Sequence, residues 1–108
     1  MDYSKLSDFE INKLVDVAFH GETTPMRTQS LDFGITNYCI NADQAWPIIM
    51  KNRISMVLDC AEDASSEWWN AFDQFDECRV QYQSNPLRAA MIVFLMIQES
   101  DNVQDNPA

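Results

Sequence analysis

Apolar positions in the first twenty residues recur at helical spacing. Ile11, Leu14, Val15, Ala18 and Phe19 fall on one stripe. Ser7 followed three residues later by Glu10 has the form of a capping box, and Leu6 with Ile11 takes the two positions of a hydrophobic staple. Gly21, directly after His20, supplies a stop. The pattern predicts a helix over 8–20. Residues 22–27 read as a loop, and from Thr28 to Thr36 the alternation of Leu31, Phe33 and Ile35 with polar neighbours has the period of a half-buried strand. Tyr38 to Asn41 leads into a second helix that either Asn41 or Asp43 can cap. Asp43 is preferred because it sets Pro47 near the first turn, where a missing donor costs least. Ala45, Trp46, Ile48, Ile49 and Met50 would form its buried side, with Asn52 as its stop.

Ile54, Met56 and Leu58 then alternate as a second strand would, and Asp59 to Ser66 has the composition of a solvated turn. Trp68 to Phe72 and Arg79 to Tyr82 suit a hairpin joined across Gln74 to Glu77, although Phe72 and Phe75 also fit a helical turn. Asn85-Pro86 opens the last helix, in which Asn85 can accept a free amide and Pro86 gives up a donor that would be unpaired there anyway. Nine uninterrupted apolar residues follow, Ala89 to Ile97. They rise about 13 Å as a helix, against the ~20 residues that a bilayer requires. Apolar all round, this helix must lie inside a core. The element order is α-β-α-β-β-β-α, an α+β fold with a small, mostly antiparallel sheet of about four strands and three helices packed on it. One domain is expected over 1–99, followed by a flexible acidic tail over 100–108.

The chain has 108 residues, 46% hydrophobic, enough for one core without disulfide staples. Two glycines leave no phosphate-cradling loop. Seventeen acids against seven bases give a net charge of −10, which denies the chain the basic footprint that direct nucleic-acid binding needs. The excess of acid serves solubility, or it makes a surface that pairs with a basic partner or imitates nucleic acid. Cys39, Cys60 and Cys78 are odd in number and form no CxxC pair, as expected of reduced thiols in a cytosolic protein. The first residues lack the basic and apolar regions of a signal peptide. A membrane partner is not expected.

Candidate chemistry is sparse. His20 is the sole histidine, and it falls in the last turn of the first helix, where a cation suits the helix dipole. Nothing near it in sequence is organised for nucleophilic catalysis, and one His with three scattered Cys lack the spacing of a closed zinc site. No enzyme activity, metal or cofactor is expected. Seven acids lie between Asp59 and Glu77 with no base among them: Asp59, Glu62, Asp63, Glu67, Asp73, Asp76 and Glu77. They read as a solvated face or as a contact patch for a basic protein. Trp68 and Trp69 are adjacent, so a strand points them to opposite faces, and one left near solvent would anchor an interface. Alternatively, Trp68 or Trp69 with Arg53, Arg79 or Arg88 could hold a nucleotide between stacked rings and cations, with a pocket between subunits of a homo-oligomer. Arg88 has a plainer use, pairing with a nearby carboxylate.

Several blocks carry a resemblance: Met1 to Lys13, Asn37-Tyr38-Cys39, Ala42 to Ile49, Asn52 to Ser55, and Asn85 to Met96. In this order they resemble the NinX family of small proteins from lambdoid phages and prophages of enteric bacteria. The likeness is weakest over 22–36 and 59–84. A more distant similarity is to a phage domain described as an α–β–α sandwich. No catalytic residues come with the resemblance. It implies an accessory, non-virion protein made in the bacterial host cytoplasm during infection. Such a protein would bind and modulate a host protein, for instance a defence component or a nucleic-acid-processing factor; sequestering a nucleotide signal is the alternative.

Overall fold

The computed structural model describes residues 1–104. A short 3-10 turn (Tyr3–Lys5) precedes α1 (Asp8–His20), α2 (Pro25–Asp32) and α3 (Ala42–Lys51). Three strands follow, β1 (Ser55–Cys60), β2 (Glu67–Phe72) and β3 (Arg79–Gln83), and α4 (Pro86–Gln104) closes the chain. The strands form one antiparallel sheet in the order β1-β2-β3. The α+β class holds, with three strands instead of about four and, among the described residues, four α-helices instead of three.

Helix α4 is the centre of the molecule. Ala89 to Leu95 are all buried, and the helix packs against α1, α3 and all three strands. Its start follows the sequence closely: Asn85 Oδ1 accepts the amides of Leu87 (2.8 Å) and Arg88 (3.3 Å). Its end does not. The helix runs on through Ser100 to Gln104, over the first part of the expected tail, and residues 105–108 lie outside the described residues. Glu99 ties this end of the helix to the start of the chain. It accepts from the Tyr3 hydroxyl (2.9 Å) and faces the N-terminal ammonium (3.4 Å).

Helix α1 matches its expected limits, including the capping box and a left-handed stop at Gly21 (φ 82°). Ile11 and Val15 are buried, whereas Leu14 is half-exposed. Two polar residues, Asn12 and Asp16, are buried beside them. Asp16 accepts from the Tyr38 hydroxyl (2.8 Å) and Arg27 Nε (3.2 Å). Asn12 accepts the Cys39 amide (3.1 Å) and donates to Asn37 (2.9 Å). Burial and the bond to Asp16 hold the Tyr38 phenol above its ordinary pKa. These contacts clamp residues 37–39 onto α1.

The expected strand over 28–36 is corrected: residues 28–32 belong to α2, which also takes in 25–27 of the expected loop, and 33–36 form turns and a bend. Thr24 accepts the Arg27 amide and Pro25 takes the first helical position, the same start signal as Asn85-Pro86. The alternation of Leu31, Phe33 and Ile35 has no burial behind it, since Leu31 alone is covered while Phe33 and Ile35 are 72% and 65% exposed. Helix α3 is corrected in two details. Asn41, not Asp43, sits at its N-cap position, and Pro47 lies inside the helix. The carbonyl deprived of a donor by Pro47 belongs to Asp43, on the solvent side, where water can serve it. Trp46 and Met50 are exposed, and Ala45, Ile48 and Ile49 form the buried face alone. Among the described residues, no helix is long and apolar enough to cross a membrane.

Candidate functional site

The sheet is covered on one face. Met56, Ala71 and Val80 stand side by side through the register Met56↔Ala71↔Val80 and pack into the core under α4. Strand alternation puts Ser55, Val57 and Asp59, Trp68, Asn70 and Phe72, and Arg79 on the opposite face. Tyr82 joins them, its ring 5.1 Å from that of Trp68. This face is open: Val57 is 44% and Tyr82 69% exposed, and Trp68 and Phe72 are half-buried.

A bulge aims the aromatic pair. The β2–β3 register slips between Trp69 and Ala71, and Tyr82 takes a left-handed backbone conformation (φ 62°). The Tyr82 amide, displaced from the ladder, donates to Asn70 Oδ1 (3.3 Å). Asn70 is 6% exposed and also reaches Asp59 Oδ2 (3.5 Å). The buried amide side chain thus replaces a ladder bond and fixes where the Tyr82 ring sits beside Trp68. At the far end of β2 the Arg79 guanidinium lies 4.7 Å from the centre of the Phe72 ring while bonding both oxygens of Asp76.

The seven acids do not form one patch. Asp59, Glu62, Asp63 and Glu67 belong to the β1–β2 turn and its flanks, and Asp73, Asp76 and Glu77 to the β2–β3 turn. Six-residue β2 separates the two groups by about 17 Å. Several of the acids are committed locally. Asp73 accepts the amides of Glu77 (2.7 Å) and Cys78 (3.0 Å), Asp63 that of Ser65 (3.0 Å), and Asp59 that of Cys60 (2.8 Å). Ser65 holds Asp63, and Arg79 holds Asp76, below the usual carboxylate range. Glu62, Glu67 and Glu77 make no side-chain bond among the described residues.

The residues proposed for a nucleotide do not converge. Trp68 and Trp69 point to opposite sheet faces, as adjacent strand residues must, and both are half-buried. Arg88 is spent inside the fold, on Asp8 (2.7 Å), Gln83 (3.2 Å) and the carbonyls of Ser4 and Leu6. Arg53 borders a cleft of about 370 Å³ with Lys51, Asp73, Glu77 and Asp101, and neither tryptophan lines it.

His20 Nε2 lies 3.6 Å from Asp16, with no thiol in that contact. Cys39 is buried, its Sγ 3.9 Å from the Asp8 carbonyl; burial and then the Asp8 charge push its thiol up to about 12. Burial, followed by Asp73, Glu77 and Asp101, also raises Cys78. Cys60 is exposed on β1. Among the described residues, no three His, Cys, Asp or Glu side chains are grouped to hold a metal ion.

Sequence reasoning missed Asn70, Tyr82, Val57 and Phe72 as members of this surface. One signal was present. Asn70 is a poor strand former set between aromatic residues in mid-strand, which calls for a specific hydrogen-bonding duty.

No curated protein and no solved structure matches the chain significantly. The family described as "Bacteriophage P22, NinX" matches residues 2–98, from the N-terminal 3-10 turn to the last turns of the central helix. By that match the chain belongs to the NinX family.

Proposed function

We propose that the protein is a non-enzymatic phage accessory factor that binds a host protein through the open face of its sheet. The observation that carries this reading is the Trp68–Tyr82 pair, set on an uncovered surface by the buried Asn70. An aromatic centre with a charged rim is the anatomy of a protein interface. Here the rim is acidic at both ends. Asp59, Glu62, Asp63 and Glu67 surround the aromatic pair's end, and Asp73, Asp76 and Glu77 the other. A partner with a basic surface is favoured by this rim, which also speeds encounter. Host defence proteins and nucleic-acid-processing factors carry such surfaces, and they would be met in the bacterial cytoplasm during infection. The net charge of −10 weighs against direct contact with nucleic acid. Sequestering a nucleotide is supported less, because its aromatic and basic residues lie apart.

The test is affinity capture from infected cells, followed by binding measurements with the purified partner. Trp68→Ala should weaken binding by about tenfold to a hundredfold. Glu62→Lys with Glu67→Lys should slow association and flatten its salt dependence. Binding that ignores both changes would remove the proposed surface.

A further inference from the structure

The two edges of the sheet are built differently. The β3 edge is guarded by the bulge opposite Trp69 and Ala71 and by the left-handed Tyr82. Its neighbour at the other edge, β1, is regular over all six residues, contains no Lys or Pro, and exposes Val57 (44%) and Leu58 (49%). Folded proteins block such edges, because unpaired amides and carbonyls recruit another strand.

Which groups are free follows from one bond. The Ala61 amide donates to Ser66, so alternation turns the amides of Ser55, Val57 and Asp59 toward β2 and those of Met56, Leu58 and Cys60 outward. The Cys60 amide is already taken by Asp59 Oδ1, and the Ile54 amide by the Ile49 carbonyl. Met56 and Leu58 keep the free donors.

We propose that β1 pairs antiparallel with β1 of a second copy, about a two-fold axis at Val57. In that register Met56 of each copy faces Leu58 of the other and the two exchange both hydrogen bonds, so each free donor is used. An axis at Leu58 would instead set Met56 against Cys60, whose amide is engaged. The Val57 register also matches side chains: Val57 opposes Val57, Met56 opposes Leu58, and Ser55 opposes Asp59. Two open aromatic faces then continue across one six-stranded sheet. The pairing does not depend on the partner reading, since a monomer could still bind through Trp68 and Tyr82.

Sedimentation velocity on the full chain should give twice the chain mass. Leu58→Pro removes an outward donor without touching the β1–β2 ladder and should leave the chain monomeric. Val57→Cys in a Cys60→Ser background should form an intermolecular disulfide on mild oxidation, since opposed residues of a non-hydrogen-bonded pair approach closely enough. Asp59→Cys in the same background should not. A native chain that stays monomeric, a Leu58→Pro chain that still pairs, or equal crosslinking at both positions would each overturn the proposal.

Discussion

Arg88 and Asp8 meet at 2.7 Å across a sequence separation of eighty residues, and this contact joins the first helix to the start of the last. The guanidinium also binds the carbonyls of Ser4 and Leu6, which tie down the turn before α1. Arg88 is 15% exposed and Asp8 45%. The pair is therefore worth most on the arginine side, where removal leaves several acceptors unmatched.

Arg88→Ala should cost about 2–3 kcal/mol of unfolding free energy in urea titration. Asp8→Ala should cost about 0.5–1 kcal/mol, because its carboxylate is half in water and screened. Arg88→Lys should recover little, since a point charge cannot serve four acceptors in different directions.

Ala64 occupies the left-handed region (φ 59°) in the exposed β1–β2 turn. Replacing it with glycine lifts a steric penalty at the cost of some unfolded-chain freedom. Ala64→Gly should raise stability by about 0.5–1 kcal/mol, seen as a higher urea midpoint with unchanged slope. An unchanged or lower midpoint would show that the turn relaxes without help.

The three thiols should separate by exposure. Cys60 is exposed, while Cys39 (0%) and Cys78 (8%) are buried. Burial raises both buried thiols, Cys39 to about 12, so neither is a thiolate near neutral pH. Titration with a chromogenic disulfide should count one fast thiol in the folded chain and the other two only on denaturation.

The contact of Glu99 with Tyr3 and the N-terminus sets a pH dependence. The Tyr3 hydroxyl, then the ammonium, hold Glu99 below its ordinary 4.5. A carboxyl depressed on folding stabilises fully above its unfolded value and loses that contribution as pH falls through its folded one. Burial and Glu99 lift Tyr3 to about 12, so the phenol stays neutral throughout this range. The stability difference between the native chain and Glu99→Gln should hold near neutral pH and shrink steadily below 4.5.

Local rules were enough wherever a signal was complete within a few residues. Ser7-x-x-Glu10 and Gly21 bounded the first helix, and Asn85-Pro86 fixed the start of the last, because caps are satisfied by near neighbours in the chain. Uniform burial of Ala89 to Leu95 was legible for the same reason, since apolar residues on every side of a helix leave no face for water. The hairpin was legible too, with its acids and its bulky strand residues in the right places. Thr24-Pro25 carries the same start signal within a stretch that reads as a loop, and the alternation of Leu31, Phe33 and Ile35 after it is accidental. Period two predicts a strand only when another strand or a core is available to cover one side.

The sequence by itself determined a single buried helix, its partner helix α1, a strand pair and a strongly acidic exterior. Only the tertiary structure decided that the acids part to opposite ends of β2, that Arg88 is consumed within the fold, and that Asn70, Tyr82, Val57 and Phe72 share a face with Trp68. Chain proximity fixes which residues turn together, but which face of a sheet is covered depends on where a distant helix packs. Helix α4 packs on the Met56–Ala71–Val80 side. That choice leaves the aromatic face uncovered.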